Sequence, residues 1–345
     1  MLTSPSGQQE TSASFAGALN VIAFIGAARG AALNPFFGLA QSKQTWEPPC
    51  VNNGMLIQTF RTGPLIGDIA MLSNQFRLLF SAVFATFICV SPIAAQTKPK
   101  LLSSGVEKPA SVIYIGNSFF YFNNGINGHV SALLRAADPG YKFRSTMVTI
   151  SGSGADWHDV DSYFRPDAIG KYSFDENNNI VFNKIDRLFD IAIMMDCSQC
   201  PIHPQLKSVF AEFSKKQSDT VRKHGALPVF FMSWAYADKP EMTAQLAEAY
   251  TQAGNDNDAF VIPAGLAFAN AVQRKSDLSL YVADKRHPTL AGTYLAACTV
   301  YAALFNKSPV GLKYMAGLDE PTAKLLQTVA WETVQEYFGV AVSSK

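Results

Sequence analysis

The stretch Val112-Ile113-Tyr114-Ile115-Gly116-Asn117-Ser118 runs apolar for four residues and then stops on a glycine and two small polar residues. A serine at such a stop becomes a nucleophile when a base reaches its hydroxyl and a carboxylate holds that base in the right tautomer. Both partners occur far downstream, in "YVADKRHPTLAGTYLAA", where Asp284 and His287 stand three residues apart. A tight turn with that spacing brings the carboxylate to one imidazole nitrogen and leaves the other free to face Ser118. Pro288, directly after, suits the first position of a helix. Each component also has an ordinary explanation: Ser118 as a helix cap, Asp284 and His287 as surface turn residues.

Five short apolar runs can position these residues: Ser111–Ile115, Phe143–Ile150, Leu188–Met195, Pro228–Trp234 and Ala259–Pro263. They are continuous and rich in Ile, Val, Phe and Met, as strands are when helices cover both faces. Helical patterns lie between and after them, near Gly128–Ala137, Pro204–His224, Lys239–Ala253, Ala264–Arg274, Pro288–Leu304 and Pro321–Phe338. Alternation of this kind predicts an α/β fold, a three-layer α/β/α sandwich around a parallel sheet, in one domain over residues 111–345. The polar stretch "GKYSFDENNNIVFNKID" reads as an insertion or short hairpin.

Ligands of such folds bind at the carboxyl ends of the strands. That rule selects Gly116-Asn117-Ser118, the glycine loop Ser151-Gly152-Ser153-Gly154, the segment Asp196 to Cys200, the segment Trp234 to Asp238, and the loop ending at His287. Asn117, Trp157, His158 and Trp234 are candidates to line a substrate pocket. For Trp157 and His158 the alternative is a helix surface, and for Trp234 it is the core. His224, before Gly225, fits a helix C-terminus.

Taken together, "IGNS" after the first strand, "ISGSGADW" after the second and "DKRHPTLAGTYLAA" before a long helix resemble the SGNH (GDSL-like) hydrolases, in the secreted bacterial branch whose nucleophile turn reads Gly-Asn-Ser. The resemblance spans most of residues 111–305. It implies a flavodoxin-like sheet, an ester-cleaving activity without metal or cofactor, Ser118 as nucleophile, His287 as base and then acid, and Asp284 orienting His287. It also implies an oxyanion hole from the N–H groups of Ser118 and Gly154 and a side-chain amide after the third strand, with Gly152 as the other register for the glycine. Family members usually place Gly-x-Asn-Asp in that third block, whereas "MMDCSQCP" has no Asn. Gln199 can supply the amide, or Ser198 a hydroxyl.

With 345 residues and 48% hydrophobic composition the chain has ample material for a core. Lys and Arg number 28 against 27 Asp and Glu, so no charge excess points to nucleic acid or an anionic surface. From Met71, a basic start with Arg77, an apolar run from Leu78 to Val90 and Ala94-Ala95 follow the order of a secretory signal. We therefore expect residues 1–70 to be an over-extended gene model, 71–95 a signal peptide cleaved after Ala95, with an uncleaved membrane anchor as the alternative, and 96–110 a linker. The protein is then periplasmic or secreted, with membrane contact only through that signal. Its substrate is expected to be a small-molecule or glycan-linked ester. Export permits disulfides, and Cys197 and Cys200 are the obvious pair, as a local disulfide or two plain thiols; no zinc-like second pair accompanies them. Besides the serine ester hydrolase, two readings remain: a catalytically weak domain that binds acylated cell-surface carbohydrate, and a thiol-based redox function.

Overall fold

The structure is a computed structural model that describes residues 97–165, 169, 171–182 and 187–340. The segments read above as an over-extended gene model and a signal peptide lie outside the described residues.

Strand β1 (Ser111–Gly116) is buried along its whole length, as an apolar run without polar alternation requires. After it come α1 (Ser118–Tyr121), α2 (Ile126–Ala137), β2 (Arg144–Thr149), α3 (Val160–Tyr163), β3 (Tyr172–Phe174), β4 (Ile180–Phe182), β5 (Ile191–Met194) and α4 (Lys207–Lys223). The remainder is β6 (Leu227–Phe231), α5 (Met242–Asp256), β7 (Phe260–Ile262), α6 (Ala264–Arg274), α7 (Leu290–Phe305) and α8 (Glu320–Tyr337).

Five strands form one sheet in the order β2-β1-β5-β6-β7, every pair parallel. Counted along the chain these strands read 2-1-3-4-5, the flavodoxin-like order, whose switch point lies between β1 and β5. Alternate residues of each strand feed two cores. Val112, Tyr114, Ile191, Ile193, Val229 and Phe231 pack on one side against α2, α6, α7 and α8. Ile113, Ile115, Ala192, Met194 and Phe230 pack on the other against α3, α4 and α5. Helix α7 is buried from Ala291 to Leu304, so its pattern is apolar all round.

The polar insertion is a hairpin, β3 paired antiparallel with β4. Tyr172, Phe174, Ile180 and Phe182 share one of its faces and are exposed.

Two expectations are corrected. Residues 97–110 are not a free linker: Thr97 N–H donates to Glu248 at 3.1 Å, Lys100 N–H to the Asn255 side chain at 2.8 Å, and Leu101 and Val106 pack against the core. Polar side chains of α5 capture the extended backbone, which composition alone does not reveal. Pro288 is not the first helical residue either. Thr289 is the N-cap of α7, its hydroxyl accepting from Gly292 N–H, while Tyr281 and Pro288 form an isolated bridge.

Candidate active site

The chain leaves β1 through Gly116, where an added Cβ would meet Met195 Cγ at 2.5 Å and Phe120 at 2.9 Å. Only glycine lets β1 end this close to the residue that follows β5. Asn117 caps α1, its side-chain oxygen accepting from Phe119 N–H at 3.2 Å. Ser118 then opens the helix at the switch point.

The structure brings Ser118, His287 and Asp284 together in hydrogen-bond sequence. Ser118 Oγ lies 2.7 Å from His287 Nε2, and His287 Nδ1 lies 2.5 Å from Asp284 Oδ2. The other Asp284 oxygen accepts the backbone N–H groups of Arg286 and His287, each at 2.9 Å. This Asx-type turn is what places a carboxylate and an imidazole three residues apart within reach of each other. Lys285 takes a left-handed φ of 64° to close it, and Val282 N–H donates to the His287 carbonyl. The hydrogen bond from His287, reinforced by the two backbone donors, holds the Asp284 carboxyl down to about 2. The imidazole is confined by rings: Phe122 stacks on it at 4.4 Å and Phe119 meets it edge-on at 5.6 Å.

At the ends of β1 and β2, no hydrogen bond among the described residues takes up the N–H of Ser118, Gly152 or Gly154. Gly154 is buried and Gly152 exposed. A Cβ on Gly154 would meet Asp156 Oδ1 at 2.6 Å and Asp196 Oδ1 at 3.1 Å. Cys197 and Cys200 form a disulfide, closing the turn after β5. Within that turn Gln199 is half-buried and its amide makes no hydrogen bond among the described residues. Ser198 Oγ is engaged with Tyr236 Oη at 2.6 Å.

Three pocket candidates sit elsewhere. Asn117 is buried, and its amide donates to the carbonyls of Ser153 and Asp196, both at 3.1 Å, tying the three strand-end loops together. His158 is buried behind the Gly116-Asn117-Ser118 turn, its Nε2–H donating to the Gly116 carbonyl at 3.0 Å and its Nδ1 near Tyr163 Oη at 3.1 Å. Burial pushes this imidazole down to about 4, which keeps it neutral. Trp234 has no exposed surface; it stacks between Phe119 and Phe268 at 4.5 and 4.1 Å and donates to the Arg286 carbonyl. Trp157 is 59% exposed and free to meet a ligand.

Sequence reasoning missed two residues. Asp196 is 3% exposed, and its Oδ1 accepts from Ala155 N–H at 2.8 Å and Cys197 N–H at 2.7 Å. Burial, with Asp156 nearby, raises its carboxyl above the usual range against those two donors. Asn123, at φ 52°, donates to the Pro288 carbonyl and to Thr293 Oγ1 and so ties the turn after α1 to the start of α7. The adjacent asparagines at 123 and 124 were the available signal, since Asn tolerates left-handed backbone.

Sheet order and site position define the class, a flavodoxin-like α/β/α sandwich whose polar constellation lies at its switch point. Similar solved structures include a DUF4886 family protein from Bacteroides uniformis, at 18% identity and TM-score 0.47 over 68% of this chain and 97% of that one. Another, from Slackia heliotrinireducens and assigned to the SGNH hydrolases, is 21% identical with TM-score 0.42 over 56% and 98%. An acetyl xylan esterase from Geobacillus stearothermophilus is 14% identical with TM-score 0.40 over 59% and 96%. No family model and no curated protein matches the chain.

Proposed function

We propose that the protein is an SGNH-type serine ester hydrolase that works through a covalent acyl-Ser118 intermediate. The observation that carries this reading is the hydrogen-bond series from Ser118 Oγ through His287 to Asp284. As Ser118 Oγ attacks the ester carbonyl, its proton passes to His287 Nε2, and Asp284 holds the ring and stabilises the imidazolium. Collapse of the tetrahedral intermediate breaks the carbon–oxygen bond to the alcohol, which leaves with the proton from His287. Water then gives its proton to His287 and attacks the acyl carbon, and Ser118 regains its hydrogen as the acid departs. The free N–H groups of Ser118 and Gly154, with the amide of Gln199, are the oxyanion donors in this reading, each worth roughly 3 kcal/mol in the transition state. The disulfide fits an oxidising compartment, in keeping with export through a signal peptide ending at Ala95 and a periplasmic or secreted location.

A second reading, a weak catalyst that binds acylated carbohydrate, is favoured by Asp196, whose buried carboxylate lies beside Gly154 where negative charge would develop. Steady-state hydrolysis of short p-nitrophenyl esters separates the two. The proposed function expects turnover by residues 97–345 that Ser118→Ala lowers at least a thousandfold while the circular dichroism spectrum stays unchanged. Undiminished turnover in Ser118→Ala removes the serine from the mechanism, and a wild-type protein inert to an ester panel and to a fluorophosphonate probe supports the binding reading.

A further inference from the structure

The residue before His287 carries a charge that the proposed reaction does not use. Arg286 is exposed, and its guanidinium carbon lies 4.7 Å from the centroid of the Tyr236 ring. Among the described residues this side chain has no ion pair and no hydrogen bond. Of the neighbouring charged groups, Lys285 pairs with Asp238 at 3.3 Å, and Asp284 is held by the His287 ring and two backbone N–H groups. Among the described residues, the Arg286 guanidinium is the cation of this loop with no carboxylate partner.

Its anchorage is unusual for a surface arginine. The Arg286 carbonyl accepts from Trp234 and its N–H donates to Asp284, so both backbone groups are held. Tyr236, beneath the guanidinium, is 4% exposed and its hydroxyl is engaged with Ser198 in the disulfide turn. Successive contacts thus link Ser118 to His287, Arg286 to Tyr236 and Tyr236 to Ser198, with His287 and Arg286 adjacent in the chain. A guanidinium stacked on a fixed ring, one residue before the imidazole that bonds Ser118, loses less side-chain freedom than an unstacked one when its planar fork takes up a planar anion.

We infer that Arg286 is a specificity residue for esters that carry a carboxylate, binding that group while Ser118 attacks the ester. One unmatched positive charge beside the ionised Asp284 suits a monoanion over a dianion. The inference rests on the ester-hydrolase reading for its chemistry, but the subsite itself is a binding claim.

The experiment compares kcat/KM for mono-p-nitrophenyl glutarate with that for its neutral methyl ester, in the wild type, Arg286→Gln and Arg286→Lys. The expected result is an anion-to-neutral ratio that falls about tenfold to a hundredfold in Arg286→Gln, is partly restored in Arg286→Lys, and shrinks in the wild type as salt rises. An unchanged ratio with both esters hydrolysed overturns the inference and leaves the ester reading intact. In parallel, binding of glutaramate, a monoanion without an ester, is followed by calorimetry for the wild type and Arg286→Gln at matched ionic strength. Arg286-dependent binding with neither ester hydrolysed keeps the subsite and removes the ester reading. Absence of both hydrolysis and binding overturns both.

Discussion

The indole N–H of Trp234 donates to the carbonyl of Arg286 at 2.9 Å, so a side chain with no exposed surface at the end of β6 holds the backbone that delivers His287 to Ser118. The ring is fixed in turn between Phe119, the residue after the serine, and Phe268 of α6. One aromatic stack therefore sets both sides of the Ser118–His287 contact. In Trp234→Phe the stack is kept and the donor lost. We expect a stably folded protein whose kcat for a neutral ester falls about tenfold, a hydrogen bond's worth of about 1 to 1.5 kcal/mol, with KM little changed. A kcat equal to that of the wild type means the His287 loop is held without this bond.

Asp284 fixes the imidazole through both of its oxygens. Asp284→Asn keeps the size but presents an amide donor or a weaker acceptor to His287 Nδ1. By analogy with other Ser-His-Asp sites, kcat should drop about ten-thousandfold. Because the wild-type carboxyl is held to about 2, it stays ionised well below the ordinary carboxylate range, and its contribution to folding is present above about pH 4 and fades only as the pH falls toward 2. A carboxyl-carbon NMR titration that places Asp284 near the model range of about 3.9 contradicts this.

His158 gives the folded protein a different pH dependence. Buried at the Gly116 carbonyl, it takes up a proton only near pH 4, whereas in the unfolded chain it does so near 6.5. Between those values the unfolded state binds more protons, so stability is full above about pH 6.5 and declines as the pH falls to about 4, by about 3 kcal/mol in all. Urea midpoints measured from pH 4 to pH 7 should show this slope, and His158→Gln should flatten it. His129, also lowered by burial, adds a slope of the same sign that persists in the variant. An identical slope in His158→Gln assigns the effect to other groups.

Asp196→Asn tests a buried charge that stands against catalysis. The amide oxygen can still accept from Ala155 and Cys197, while the buried negative charge beside Gly154 is removed. We expect kcat to rise several-fold at neutral pH, an electrostatic gain on the order of 1 kcal/mol. A lower rate with an intact fold shows that the carboxylate itself is needed.

Reducing the Cys197–Cys200 disulfide should cost little stability. The bond closes a loop with a sequence separation of 3, and a ring this short restricts the unfolded chain by only about 2 kcal/mol. Its larger effect should fall on the turn that carries Ser198 and Gln199, seen as a lower kcat in reductant while the urea midpoint falls by no more than about 1 M. A collapse of the midpoint indicates a global role for the bond.

The sheet was legible because strands buried on both faces read as unbroken apolar runs, and the helices between them repeat at their own period. Ser118, His287 and Asp284 were legible for a different reason: their chemistry needs those residue types at the ends of particular elements. What stayed hidden is direction. Nothing in "FMSWAYAD" says that Trp234 turns inward to hold Arg286 while Tyr236 lies under a guanidinium, nor does "DWHD" say that His158 faces Gly116 and Trp157 faces outward. Those choices depend on which neighbour offers a carbonyl, and the neighbour is tens of residues away. The burial of Asp196 is hidden for the same reason, since its carboxylate depends on the N–H of Ala155, far away in the chain.

The lacing of Thr97, Lys98 and Lys100 onto Glu248 and Asn255 makes the residues directly ahead of β1 part of the folded body. A protein trimmed to begin at Ser111 would keep every residue of the proposed site yet leave acceptors on α5 without partners and uncover the apolar surface beneath Leu101 and Val106. Solubility, more than activity, should accordingly be the property that a shorter version loses.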